Sequence, residues 1–222
     1  MTTSTLRIVA VVLAFTGTVL AAVATGTMYW VYVEGTIGFT ATERVGLFET
    51  CASTSTRDGE ECQSYSSGDG NDDIICGDHM SNQATKFMKG LQSMSILSAS
   101  FGFLAFVVAV LRNVTRHSSS SGPRGCFEAV LAFLGAACAF VTWTVFVYFI
   151  LSWVGCGTSF CELQKGNATW ESFQCGFHYS FAMSVAASAL LGASGTFFII
   201  GHSRSRGVAI TDGMYQDTDL IR

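Results

Sequence analysis

Four stretches of this chain carry no charged side chain: Ile8 to Val33, Gly90 to Leu111, Ala129 to Val154 and Phe177 to Gly201. Each exceeds the roughly 18 to 20 residues that carry a helix across about 30 Å of hydrocarbon. Hydrocarbon offers backbone N–H and C=O groups no partners, so a crossing segment must close those bonds within its own helix. The stretches therefore predict four membrane-spanning helices rather than a soluble core. The composition agrees, because half of the residues are apolar and only 13% are charged. The first stretch also resembles a secretory signal, with Arg7 ahead of it and Ala22-Val23-Ala24 as a cleavage-like site. A signal's apolar segment runs about 7 to 15 residues, whereas this one continues to Val33, which favours a retained span.

Basic residues of short connections stay on the cytoplasmic side. The 112–125 connection holds Arg112, Arg116 and Arg124 and no acid, and the tail opens with Arg204 and Arg206. Both should face the cytoplasm, together with both termini, in a plasma-membrane protein. The predicted layout is one domain over 1–222, with spans at about 8–33, 91–111, 128–154 and 177–201. Extracellular loops then cover about 34–90 and 155–176, with a cytoplasmic tail over 202–222.

The cysteines agree with this topology. Cys51, Cys62, Cys76, Cys156, Cys161 and Cys175 fall in the two outward loops, where an oxidising environment permits disulfides. Their even number suits three bridges. Cys126 and Cys138 lie at or within the third span, and Cys126, beside the basic loop, is a candidate palmitoylation site. Asn167-Ala168-Thr169 is a glycosylation sequon in the second outward loop; Asn113-Val114-Thr115 matches too but lies on the inner side.

The long outward loop mixes β-branched and aromatic residues with turn formers, and predicts strands at Trp30–Val33, Val45–Phe48 and Cys62–Tyr65. A disulfide from Cys51 to Cys62 would close an outward hairpin and contribute about 3 kcal/mol by limiting the unfolded chain. Within the spans, Ser184, Ser188, Gly192 and Thr196 form one small-residue stripe and Gly17, Ala21 and Thr25 another, as close helix packing in lipid requires. Glu128, four residues after Arg124, is expected to pair with it.

Nothing in the sequence supports an enzyme. The four histidines are scattered, and there is no His-Glu-x-x-His, no Cys-x-x-Cys and no Gly-rich phosphate loop before a Lys. Asp69-Gly70-Asn71-Asp72-Asp73 lacks the EF-hand spacing, so neither a metal nor another cofactor is expected, and no nucleic acid. Asp69, Asp72 and Asp73 could still line an ion path, since carboxylates attract cations and repel anions.

These residues resemble the claudin superfamily, which includes claudins, epithelial and peripheral myelin proteins, calcium-channel gamma subunits and lipoma-fusion-partner-like tetraspans. Its signature is a Trp opening the first outward loop, then Gly-Leu-Trp, then two Cys about ten residues apart; here Trp30, Gly46-Leu47-Phe48, Cys51 and Cys62 match it, with Phe48 in place of Trp. Cys62-Gln63-Ser64-Tyr65-Ser66-Ser67 is similar to the family's Cys-x-x-Tyr-x-Ser, and the second and fourth spans are similar to the family's. The resemblance implies an all-α, left-handed transmembrane four-helix bundle capped by a small extracellular antiparallel β-sheet drawn from both outward loops. In that fold Gly46-Leu47-Phe48 would wedge the sheet against the bundle, while Trp30 suits the membrane boundary with its indole N–H in water. The implied function is a self-associating protein of cell–cell contacts that forms a cation-preferring paracellular barrier or pore. The alternatives are an auxiliary subunit of a channel or receptor, and an adhesion or structural tetraspan without a pore. The implied partners are the lipid bilayer and either copies of itself or other membrane proteins, whether junction proteins or channel subunits.

Overall fold

The computed structural model describes residues 3–56, 59–64, 81–114, 125–152, 159–166 and 169–219. The elements run α1 (Thr3–Gly26), β1 (Val31–Thr36), β2 (Thr40–Val45), β3 (Glu49–Thr54), β4 (Glu60–Ser64), α2 (Ser81–Val114), α3 (Gly125–Ser152), α4 (Phe160–Gly166), β5 (Ser172–Phe177) and α5 (Tyr179–Asp219). Segments of α1, α2, α3 and α5 are long and apolar enough to cross a membrane: Ser4–Gly26, Phe87–Val114, Cys126–Leu151 and Tyr179–Ser203. The chain is a multi-pass membrane protein, a four-helix bundle with a five-stranded antiparallel sheet at one end.

The helices form a ring in which α1 and α3 each pack on both α2 and α5. Lipid is as apolar as leucine, so close contact and hydrogen bonds, not expulsion of water, hold such a ring together. Leu191 of α5 is fully buried at its centre. It is received by one glycine from each of the other three helices: a Cβ would lie 3.0 Å from Leu191 at Gly17, 3.2 Å at Gly102 and 3.3 Å at Gly135. Hydroxyls add bonds between helices, Ser98 Oγ to the Gly135 carbonyl at 2.9 Å and Ser194 Oγ to the Ala10 carbonyl at 2.8 Å. Each is worth about 0.6 kcal/mol in lipid. Ile8, Phe103, Val130 and Ile199 point outward, as side chains solvated by lipid do.

Several sequence expectations are corrected here. The uncharged run to Val33 is longer than its helix: α1 stops at Gly26, and Val31 and Val33 are buried in β1. A strand face packed on a bundle is as apolar as a span, so charge alone does not divide them. The α5 stripe is not one seam, because Ser184 is buried while Thr196 is exposed and bonds back to the Gly192 carbonyl. A strict four-residue repeat drifts about 40° per step around a helix of 3.6 residues per turn. The buried face instead follows Ser180, Ser184, Ala187, Leu191, Ser194 and Phe198. Glu128 pairs with Arg112 of α2, whose Nη1 donates to both carboxylate oxygens at 2.8 and 3.0 Å. Antiparallel α2 and α3 bring those two ends level, whereas Arg124 lies outside the described residues.

The strand order is β4-β3-β2-β1-β5, with every neighbouring pair antiparallel. Both connections at this end thus contribute to one sheet. The β1–β2 hairpin turns through Gly38, whose φ of 66° lies in the left-handed region that a glycine enters without steric cost. Val45-Gly46-Leu47-Phe48, expected as a strand, ends β2 at Val45 and then turns back into β3.

Candidate functional site

The surface that distinguishes this chain is its sheet, and two tryptophans anchor it. Trp30 is 0% exposed, against the edges of Phe146 and Phe181, with Leu47, Met88 and Leu91 in the same cluster. Its indole Nε1 donates to the Ala24 carbonyl at 2.7 Å, so the N–H is dry and not in water as expected from sequence. The last carbonyls of any helix lack intrahelical partners. Here Trp30 serves the Ala24 carbonyl and Thr27 Oγ1 serves that of Val23, two of those groups, while Thr25 Oγ1 bonds back to Ala21 one turn earlier. Trp170 repeats the device on the other side. Its ring covers Gly35 of β1 so closely that a Cβ there would meet it at 2.1 Å, and its Nε1 donates to the Gln164 carbonyl in α4 at 3.0 Å. Trp170 escaped the sequence reading because it carries no motif; its place directly after a sequon gave no hint of packing.

The turn at Gly46-Leu47-Phe48 divides its labour differently from expectation. Leu47 is fully buried against Trp30's cluster, and Gln92 of α2 donates to its carbonyl at 2.7 Å. Gly46 lies so near the α1–β1 connection that a Cβ would fall 2.7 Å from Met28 Cα. Phe48 is 38% exposed, so Leu47, not Phe48, is the wedge. A phenylalanine where the family has tryptophan therefore leaves the core intact.

Cys51 and Cys62 face each other across β3 and β4 and are joined, with a Cα separation of 4.1 Å. That spacing is of the close, non-hydrogen-bonded kind of cross-strand pair. Glu49 approaches both sulfurs, but sulfurs bound to each other are not thiolate ligands, and the group is not a metal site. Cys161 of α4 is joined to Cys175 of β5, which selects one of the pairings the sequence left open. One bridge secures each edge of the sheet. Cys76, Cys156, Asn167, Asp69, Asp72 and Asp73 lie outside the described residues. Cys126 is exposed at the start of α3, a free thiol.

Register sorts the charges. Tyr32, Glu34, Arg44, Thr42, Ser53 and Glu60 share one face, by the pairing of Tyr32 with Arg44, Glu34 with Thr42, Thr42 with Ser53, and Ser53 with Glu60. Arg44 Nη1 binds Glu60 at 3.0 Å and the Tyr29 hydroxyl at 3.1 Å, with its guanidinium over the Tyr29 ring. The Tyr32 hydroxyl donates to Glu34, and that bond, with some burial, raises the Tyr32 pKa. The opposite face carries Val31, Val33 and Val45 onto the bundle, and with them Glu43.

Glu43 lies between Val33 and Ala52, its cross-strand neighbours, with no polar partner among the described residues. Burial pushes its carboxyl above the usual range. The unfolded chain ionises near the ordinary value of about 4.3, so as pH rises from there to the folded value, the unfolded state loses its proton first and stability falls. Glu43→Gln is expected to raise the melting temperature at neutral pH and to give no gain below about pH 4, where the carboxyl is protonated in both states. Parallel melts of the two proteins across that range check this.

The strands together carry Glu34, Glu43, Glu49, Glu60 and Glu61 against Arg44. Such a surface can attract cations or a basic partner; it offers no paired nucleophile and base. No curated protein matches the chain. A family model described as PMP-22/EMP/MP20/claudin tight junction matches residues 15–200, from the second half of α1 through the whole sheet, α2 and α3 into α5, and the chain belongs to that family.

Proposed function

We propose that this chain is a non-enzymatic plasma-membrane protein of cell–cell contacts, which associates side by side with its own copies and lines a cation-preferring path between cells. The observation that carries the reading is the charge of the sheet: apart from the bundle-facing Glu43, it holds Glu34, Glu49, Glu60 and Glu61 against one arginine that is already bound to Glu60. Carboxylates along a water-filled path raise the local concentration of cations and exclude anions. Asp69, Asp72 and Asp73 follow β4 in the same connection and add to that field. In this reading the sheet faces outward with a glycan on Asn167, both termini are cytoplasmic, and Cys126 is palmitoylated at the inner boundary.

Purification from native membrane in mild detergent tests the assembly. Homopolymers of the chain, together with its concentration at contacts between expressing cells, are the expected result. Stoichiometric recovery of channel or receptor subunits would overturn it in favour of an auxiliary subunit, and recovery of monomers spread evenly over the cell surface would contradict side-by-side association.

A further inference from the structure

At the end of the bundle away from the sheet, all four long helices close around a small cleft. Arg7 of α1, Arg112 and Asn113 of α2, Glu128 of α3 and His202 of α5 line it, over an apolar floor that includes Phe198. Every one of these polar residues sits near the end of a segment long and apolar enough to cross a membrane, and the ends of such segments meet the headgroup region. Glu128 is 4% exposed, and its carboxylate is neutralised by Arg112. Arg112 makes both bonds through Nη1, so Nη2 and Nε have no partner among the described residues, and the side chain is partly open. Arg7 adds a second guanidinium, so that the described lining carries two arginines against one glutamate. The flanking sequence adds Arg116, Arg124, Arg204 and Arg206 with no acid from Thr115 to Phe127 or from His202 to Thr211.

We propose that this cleft binds the phosphate monoester of an anionic lipid headgroup, with Arg112 and Arg7 as donors and Glu128 holding Arg112 in place. Basic pockets between helices on the cytoplasmic side recognise lipid phosphates in this way. A monoester carries close to two negative charges and three acceptor oxygens, which suits two guanidinium forks better than the single charge of a phosphodiester. The cleft volume of about 30 Å3 admits phosphate oxygens at its mouth but not a whole headgroup. The cytoplasmic assignment rests on the orientation proposed above; the binding chemistry does not.

Native mass spectrometry of the full chain in detergent tests it, with short-chain phosphatidylinositol bisphosphate, short-chain phosphatidylserine and inorganic phosphate as separate probes. The expected result is one bound bisphosphate lipid, retained about tenfold more tightly than the serine lipid. Inorganic phosphate should compete only weakly. Arg7→Gln and Arg112→Lys should each weaken that binding about tenfold, since lysine keeps the charge beside Glu128 but loses the planar fork. Unchanged melting temperatures would show that both variants are folded; if either is not, Arg7→Lys replaces it with the same expectation. Equal retention of the two lipids, undiminished binding by the variants, or inorganic phosphate binding as tightly as the lipid would each overturn the proposal. The orientation is read separately, by protease access to the 112–125 connection in sealed cells, so the failure of one is distinguishable from that of the other.

Discussion

Trp30→Ala is expected to destabilise the protein by about 3 to 5 kcal/mol, the range for removing a large buried aromatic. Two losses combine. The cavity opens where Phe146, Leu47, Met88 and Leu91 meet, and the Ala24 carbonyl loses its donor at the point where α1 leaves the membrane. At about 2 to 4 °C per kcal/mol for a chain of this size, the melting temperature should fall by roughly 10 °C. Phe48→Ala, three residues from the fully buried cysteine of the same motif, should cost about 1 kcal/mol or less because the ring is partly exposed and outside the buried cluster. Thermal melts of the two variants side by side check both. Equal losses, or a larger loss at Phe48, would refute the assignment of Leu47 and Trp30 as the plug.

Removing the bridge across β3 and β4, as Cys51→Ala with Cys62→Ala, should cost about 2 to 5 kcal/mol. β4 is an edge strand five residues long, paired on one side only, and cannot hold its register by packing. The effect should show as a lower melting temperature and as faster proteolysis within the connection between α1 and α2, and reductant should reproduce it in the parent chain. Peptide mapping without reduction is expected to return Cys51 with Cys62 and Cys161 with Cys175 and, on the proposed reading of three bridges, Cys76 with Cys156. A double variant as stable as the parent would mean that the sheet is held without its edge bridge.

The helices were legible because a span must be free of charge over a fixed length, and that demand reaches every residue of Gly90–Leu111 or Phe177–Gly201. The end of the first helix was not, since Val31 and Val33 are as apolar as the span they follow, and only the capping of Ala24 by Trp30 separates them. The sheet's composition was visible in its β-branched residues, yet its register depends on turns such as Gly46–Phe48, whose backbone direction no local pattern specifies. The pairing of Arg112 and the packing of Trp170 went unseen for a related reason. Each acts on a partner from a distant part of the chain, Arg112 on Glu128 and Trp170 on Gly35, and a single sequence shows no such pairing. The acidic character of the candidate site was legible throughout, because charge is a property of residue type. Which face carries each glutamate required the strand register.

The central claim, an acidic outward surface that favours cations, is tested most directly by dilution potentials across epithelial monolayers expressing the chain. The parent should make sodium more permeant than chloride, and reversing Glu60, Glu61, Asp69, Asp72 and Asp73 to lysine should invert that order while leaving the protein at cell contacts. A permeability ratio that stays the same in parent, variant and untransfected monolayers would contradict the claim.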